Sequence, residues 1–266
     1  MISLAPAGSL NIAGQSLEYV FIAGANPAAP MLVLLHEGLG GARMWGDFPE
    51  RLATTTGASV FAWSRAGYGG SSPVSLPRPL TYMHDEALHM LEPLLDAIGF
   101  QRGVLVGHSD GASIAAIYAG ARGDARVRGL CLIAPHFFVE DVSIAAIEQA
   151  RIAYATADLR NKLARWHAHV DVAFRGWNDA WLDPGFRDWD IRAFLPGISA
   201  PVLVIQGEDD QYGTLLQVDC ARELIGGDVG TLVLPGGRHA PYREAGEATV
   251  QAISRFVTTV CGDENW

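Results

Sequence analysis

The sequence is 266 residues long, which suits one large core with an insertion better than two separate cores. Apolar residues make up 49% of the chain and charged residues 18%, a balance that excludes disordered and fibrous proteins. The 29 acidic residues outnumber the 19 basic ones and give a formal charge of -10. Because this charge would repel a polyphosphate backbone, we expect no nucleic-acid partner.

The cysteines and the first residues of the sequence bear on its cellular location. Cys131, Cys220 and Cys261 stand far apart and cannot all pair within the chain, so they predict a reducing compartment. The segment from Met1 to Gly14 lacks the basic start and apolar stretch of a signal peptide, and no later run reaches the length of a membrane span. We therefore expect a soluble, cytoplasmic monomer or homodimer with no membrane contact.

The predicted elements begin with two short alternating segments, Leu10–Ile12 and Leu17–Ile22, which indicate an antiparallel hairpin. Continuous apolar runs, typical of strands buried on both faces, follow at Met31–Leu35, Val60–Trp63, Gly103–Val106, Leu130–Ala134, Val202–Ile205 and Thr231–Leu234. Segments with helical periodicity lie between them at Trp45–Thr55, Met83–Ile98, Ala112–Ala121, Leu215–Ile225 and Glu244–Val260. This alternation predicts an α/β protein with a mostly parallel sheet and helices on both faces.

The alternation breaks between His136 and Pro196. Helix-like segments occur there at Ser143–Ala157, Leu159–His169 and Val172–Ala180, and strand-like sequence resumes only at Pro201. About 60 residues would make a marginal core on their own. We therefore expect residues 136–196 to form a helical insertion on a core built from residues 1–135 and 197–266.

A candidate nucleophile follows the third apolar run. Val104–Val106 continues into Gly107-His108-Ser109-Asp110-Gly111, and a helix is predicted from Ala112. This is G-x-S-x-G at a strand-to-helix junction, the context of a nucleophile elbow. A sharp turn would hold Ser109 in a strained backbone conformation, and the flanking glycines lack side chains that would collide with neighbouring backbone.

A serine nucleophile needs a base, and the base needs an orienting acid. His239 lies in a Gly-rich loop directly after the last predicted strand and is the candidate base. The preceding strand ends in Gly207-Glu208-Asp209-Asp210, so the acid can come from this group of carboxylates. Glu140 and Asp141, after the strand that starts at Leu130, remain alternatives.

Several of these segments resemble conserved blocks of the α/β-hydrolase fold family. The segments 107–111, 207–210 and 237–241 look like its three catalytic blocks, while Leu34-Leu35-His36-Glu37-Gly38 and the segment 64–71 resemble its oxyanion-strand and post-strand-4 signatures. The resemblance spans Met31 to about Val257, and the helical insertion matches the family's variable cap. It implies Asp210 as the acid, with Asp209 second, and the backbone N–H groups of Gly38 and Asp110 as the oxyanion hole.

Two carboxylates depart from the family pattern. Glu37 stands where glycine is usual, and Asp110 follows the candidate nucleophile where an apolar residue is common. Negative charge beside a developing oxyanion is unfavourable. Either both side chains turn away and pair with an arginine such as Arg65 or Arg43, or they face the pocket and favour a cationic group on the substrate; a raised pKa that makes one of them an acid is a third option.

The insertion contains four of the seven tryptophans, which either form a roof over the substrate or pack the insertion onto the sheet. The possible pocket residues are Glu37, His136, Trp166, Trp177 and Trp181.

The sequence His167-Ala168-His169-Val170-Asp171 matches part of a metal motif, but in the predicted helix the two histidines would point to nearly opposite faces. Because nucleotide-binding patterns are also missing, we expect neither a metal nor a cofactor.

Together these features predict a hydrolase that cleaves a small ester or related acyl substrate through an acyl-enzyme. Ser109 would attack the carbonyl carbon, His239 would take and return the proton, and Asp210 would orient the imidazole. The family resemblance leaves alternatives with the same three residues: hydrolysis of a carbon–carbon bond in a dienoate, cyanohydrin cleavage and cofactor-free perhydrolysis. A non-catalytic ligand-binding homologue is the alternative outside enzymology.

Overall fold

The structure, a computed structural model, describes residues 4–26 and 29–262 and contains a single eight-stranded sheet. The strands are β1 (Ala7–Ile12), β2 (Gln15–Ile22), β3 (Met31–Leu35), β4 (Val60–Trp63), β5 (Gly103–His108), β6 (Val127–Ile133), β7 (Val202–Gly207) and β8 (Val229–Leu234). Their order in the sheet is β1-β2-β4-β3-β5-β6-β7-β8. β1 pairs antiparallel with β2, and β2 pairs antiparallel with β4, whereas every other neighbouring pair is parallel. The predicted mostly parallel sheet with an N-terminal antiparallel hairpin is confirmed.

Helices connect the strands and cover both faces of the sheet. The α-helices are α1 (Phe48–Thr56), α2 (Tyr82–Asp85), α3 (Leu91–Ala97), α4 (Asp110–Arg122), α5 (Asp141–Thr156), α6 (Leu159–Leu163), α7 (Val170–Trp181), α8 (Leu216–Leu224), α9 (Pro241–Glu244) and α10 (Gly246–Cys261). Short 3-10 helices occupy Ala42–Trp45, Pro184–Asp188 and Arg192–Gly197, and a π-helical turn occupies Glu86–Met90. No helix in the described part of the chain is long and apolar enough to cross a membrane.

The sheet has an apolar core on each face, which explains the continuous apolar runs. In β3, Leu32 and Leu34 contribute to one hydrophobic cluster, whereas Val33 and Leu35 contribute to the other. Successive side chains of a strand point to opposite faces, so a strand covered on both sides must be apolar at every position. Burial of both faces of the sheet therefore explains the continuous apolar runs from which these strands were predicted.

The register aligns the carboxyl ends of the central strands at one edge of the sheet. Leu35 at the end of β3 pairs with Gly107 of β5, and His108 pairs with Ile133 at the end of β6. Similarly, Gly207 at the end of β7 pairs with Leu234 at the end of β8. In open α/β sheets ligands bind outside this edge, so residues that follow these strands are placed to share one site.

Two predicted helices are interrupted. The expected helix Met83–Ile98 divides into α2, the π-helical turn and α3; Pro93 near the start of α3 has no N–H to continue the regular α-helical hydrogen bonds. The expected helix Leu159–His169 ends at Leu163 with α6. The helix predicted over Met83–Ile98 is therefore present, with a π-helical turn inside it. The helix predicted over Leu159–His169 was wrong beyond Leu163, because local periodicity does not register a tertiary contact.

Candidate active site

Ser109 occupies a strained turn between β5 and α4. Its φ is +54° and its ψ is -119°, a conformation that non-glycine residues rarely adopt. Both flanking glycines are required by close backbone approach: a Cβ on Gly107 would lie 2.4 Å from the carbonyl oxygen of Gly111, and one on Gly111 would lie 2.1 Å from that of Leu35. Ser109 is therefore held at the edge of the sheet by a turn that tolerates no side chain two residues before or two residues after it.

Asp210 and His239 form a close pair in the loops after β7 and β8. The Nδ1 atom of His239 lies 2.8 Å from Oδ2 and 2.9 Å from Oδ1 of Asp210. Asp210 also accepts hydrogen bonds from the Tyr212 backbone N–H and the Gln206 side-chain amide, each at 2.8 Å. Burial opposes ionisation of Asp210, but the hydrogen bond from His239 and the other donors outweigh it, so the pKa of this carboxyl is lowered.

The alternative acids have other partners. Asp209 is exposed. The Glu140 carboxylate accepts hydrogen bonds from Thr214 and Gln217, and Asp141 pairs with Arg187 on the surface. Glu208 is exposed as well. Among the five carboxylates considered from the sequence, Asp210 is the one that contacts His239.

A small cavity of about 100 Å³ joins the candidate residues. It is lined by Glu37, Gly38, Leu39, Ser109, Asp110, His136, Ile147, Trp177, Trp181, Tyr212 and His239. Ser109 and His239 thus border the same space, although no hydrogen bond joins their side chains in the described residues. Such contacts are often long in unliganded enzymes and tighten when substrate binds.

Two backbone N–H groups border the cavity where an oxyanion hole is expected. Asp110 is the first residue of α4, so its N–H has no partner within the helix. Gly38 follows β3 and also lines the cavity, and a Cβ there would lie 2.1 Å from Nε1 of Trp177. The absence of a side chain at Gly38 lets the indole of Trp177, from α7, pack against its backbone.

A profile of the alpha/beta hydrolase family matches residues 32–252, most of the chain. This chain belongs to the alpha/beta hydrolase family. The match covers the strands that hold Ser109, Asp210 and His239 as well as the helices between β6 and β7. No curated protein matches the hydrolase.

Solved structures share the fold of this alpha/beta hydrolase at low sequence identity. A bacterial membrane phospholipase A superposes with a TM-score of 0.76 at 22% identity, over 96% of this chain and 86% of that one. The proline iminopeptidase of Mycobacterium smegmatis has a TM-score of 0.75 at 19% identity over 96% and 98% of the two chains. An esterase of Exiguobacterium antarcticum has a TM-score of 0.73 at 19% identity over 94% and 98%.

Glu37 of the hydrolase turns to a histidine rather than to an arginine. Its Oε2 lies 3.5 Å from Nδ1 of His108, whose Nε2 donates to the backbone carbonyl of His239 at 2.7 Å. Burial opposes ionisation of Glu37, but the contact with His108 and other nearby positive groups keep the pKa of this carboxyl well below its ordinary range. Arg43 pairs instead with Glu18.

Asp110 is also without an arginine partner. Its Oδ2 accepts a 2.5 Å hydrogen bond from the Tyr82 hydroxyl, and Tyr82 in turn accepts one from Nε1 of Trp181 at 3.0 Å. Arg65, considered from the sequence as a partner, donates to the backbone carbonyls of His36 and Glu37. The option that these carboxylates pair with Arg65 or Arg43 was wrong, because the hydrogen bonds of Arg65 and the ion pair of Arg43 go to other acceptors.

Trp166 lies outside the cavity, unlike the other predicted pocket residues. It is 48% exposed and lines a separate depression with Arg43, Trp45 and Tyr242. It belongs to the turn between α6 and α7, where the sequence predicted a helix. The early end of α6 therefore places this side chain on the surface.

His167, from the partial metal motif, ties that turn to the core. Its ring accepts a hydrogen bond from the Gly69 backbone N–H at 2.9 Å and donates to the Leu39 carbonyl at 3.1 Å. Burial lowers the pKa of His167, which favours the neutral ring that this arrangement requires. No cluster of metal-ligating side chains occurs in residues 4–26 or 29–262.

Three lining residues were not predicted: Leu39, Ile147 and Tyr212. Tyr212 follows Asp210 by two residues, and its ring centroid lies 4.6 Å from that of His239. Proximity to the acid was the only sequence signal for it. Leu39 and Ile147 offered none, since both look like ordinary apolar residues.

Proposed function

We propose that this alpha/beta hydrolase is a serine hydrolase that cleaves a small ester or related acyl substrate through an acyl-enzyme. The observation that carries the proposal is the contact of His239 with Asp210 beside the strained Ser109, on one cavity. The helical segment 136–196, whose Trp177 and Trp181 line that cavity, would act as a cap over the acyl group.

The proton positions follow from hydrogen-bond chemistry. A carboxylate only accepts, so Asp210 fixes the proton of His239 on Nδ1 and leaves Nε2 as an acceptor. In the proposed reaction Nε2 takes the Ser109 proton as Oγ attacks the carbonyl carbon. The N–H groups of Gly38 and Asp110 bind the oxyanion, and collapse of the intermediate expels the alcohol with the proton from His239.

Hydrolysis of the acyl-enzyme repeats these steps with water. Nε2 of His239 takes a proton from the water, the resulting hydroxide attacks the ester carbonyl, and Ser109 leaves with the proton restored. The net reaction consumes ester and water and yields acid and alcohol. No further reactant is required.

A fluorophosphonate probe tests this assignment because it modifies only an activated serine. We expect peptide mass spectrometry to find the label on Ser109 of the wild type, no label on Ser109→Ala, and at least about 10⁴-fold slower ester turnover in Ser109→Ala and His239→Ala. Ser199→Ala serves as the control, since Ser199 is exposed and precedes the opposite end of β7. Wild-type turnover in Ser109→Ala would refute the proposal.

The alternatives predict other outcomes. A non-catalytic homologue would not label at Ser109. A carbon–carbon hydrolase would label but turn over dienoates far faster than simple esters. Measuring both substrate classes on one preparation separates these functions.

A further inference from the structure

We propose that Asp110 selects acyl substrates with a hydrogen-bond donor, such as a hydroxyl or ammonium group, on the carbons next to the carbonyl. This inference rests on the proposed function and names the substrate class of the same site. Asp110 directly follows Ser109 and borders the cavity. A group bound by its carboxylate would therefore lie close to the reacting carbonyl.

One oxygen of this carboxylate, Oδ2, already accepts a hydrogen bond from the protein. An indole N–H can only donate, so the Tyr82 oxygen accepts from Trp181 and directs its own proton to Oδ2 of Asp110. All three residues are almost completely buried. The tyrosine and the tryptophan thus fix the orientation of the carboxylate.

The other oxygen, Oδ1, is buried and receives no hydrogen bond from the residues that the structure describes. Unpartnered buried acceptors are rare because they lose the hydrogen bonds of water without replacement. Arg65 and Arg78 attract the carboxylate electrostatically, but the hydrogen bonds that their guanidinium groups make go to other oxygens, and the buried Nε of Arg65 has no partner among the described residues. A donor on the substrate would supply the missing partner.

The rest of the cavity limits the size and character of the acyl group. Leu39, Ile147, Trp177 and Trp181 give it apolar walls, and its volume of about 100 Å³ holds only a few carbon atoms. A short chain with one donor fits both the apolar walls and the unpartnered oxygen of Asp110. A plain alkyl chain of the same length would leave Oδ1 without a partner.

Matched 4-nitrophenyl esters test this preference. The esters are butanoate, 2-hydroxybutanoate, 3-hydroxybutanoate and the methyl ethers of the two hydroxy esters, and each kcat/KM is divided by the rate of alkaline hydrolysis to remove intrinsic reactivity. We expect the wild type to favour one hydroxy ester over butanoate by about tenfold or more, because a bond to a charged acceptor discriminates by that factor. The methyl ether, which cannot donate, should lose the advantage.

Two variants assign the preference to the carboxylate. In Asp110→Asn the Tyr82 proton should hold the amide oxygen, which leaves the amide NH₂ where Oδ1 stood, so the preference for a donor should fall at least about tenfold; Asp110→Ala should show the same loss. Asp179→Asn is the control, since Asp179 is an exposed carboxylate on α7, the helix that provides Trp177 and Trp181. We expect its selectivity to match the wild type.

The outcomes separate this inference from the proposed function. Turnover of the esters with no hydroxy preference in the wild type, or with the same preference in both Asp110 variants, would overturn the role of Asp110 and leave the serine mechanism standing. A wild type that hydrolyses none of the esters and resists fluorophosphonate labelling would overturn the proposed function and this inference with it. Preference for the methyl ether would overturn the requirement for a donor.

Discussion

Two carboxylate–histidine pairs lie side by side at the carboxyl edge of the sheet. Asp210 contacts His239, Glu37 contacts His108, and the centroids of the two imidazoles are 5.0 Å apart. In each pair the carboxylate follows one strand of the sheet, and the histidine lies at or after the end of a different strand. Their residue types alone do not distinguish a base from a structural pair.

The two histidines differ in which ring nitrogen carries a proton and therefore cannot accept one. The carboxylate of Asp210 takes the Nδ1 proton of His239, so Nε2 is left as an acceptor. In His108 it is Nε2 that donates, to the backbone carbonyl of His239. A carbonyl cannot donate, so this nitrogen must hold its proton and cannot take one from Ser109. The comparison teaches that hydrogen-bond partners, not proximity to an acid, determine which histidine can serve as base.

The largest expected effect comes from exchanging the two acids for amides. Asp210→Asn removes the acceptor that fixes the His239 tautomer, so kcat on a 4-nitrophenyl ester should fall by about 10³–10⁴. Glu37→Gln should reduce kcat by less than about tenfold, because the Glu37 carboxylate contacts His108 and not His239. Similar losses in both variants would contradict the distinction between the pairs.

A smaller effect is expected at His108, which contacts the proposed base, His239, through the backbone carbonyl of that residue. In His108→Ala the His239 carbonyl loses its donor, so we expect kcat to fall by about 10-fold while KM changes little. His108→Gln retains a side-chain N–H near the position of Nε2 and should recover most of this loss. Steady-state kinetics of both variants test the idea, and equal losses would show that the imidazole matters for packing rather than for its donor.

The comparison also shows what could be predicted from the sequence. The buried strands follow from apolar runs, and Ser109 follows from two glycines at a strand end, since both signals are local. The choice of Asp210 over Asp209 came from the family resemblance and agrees with the contact to His239. The local sequence pattern alone did not decide between Asp210 and Asp209 as the acid.

Contacts between distant segments could not be predicted. The partner of Glu37 depends on the alignment of β3 with β5, which brings His108 beside it. The place of Trp166 depends on the end of α6, where the tertiary contacts of His167 override helical periodicity. Both depend on residues tens of positions away, about which a local pattern carries no information.

The smallest expected effect concerns stability and comes from a third imidazole, His136. Its ring lies 5.8 Å from that of His239, and burial, reinforced by His239, lowers the pKa of His136 from 6.5 to about 3. Between these values the unfolded chain binds a proton that the folded protein does not. The free energy of unfolding should therefore fall with decreasing pH by up to about 1.4 kcal/mol per pH unit from this residue.

Replacing His136 by glutamine removes this titration, so urea unfolding between pH 6.5 and 5 should show a shallower dependence on pH than in the wild type. His169→Gln is the control, because His169 is exposed to solvent in the same helical segment, and its slope should match the wild type. An unchanged slope in His136→Gln would mean that His136 gains a proton in the folded protein as readily as in the unfolded chain.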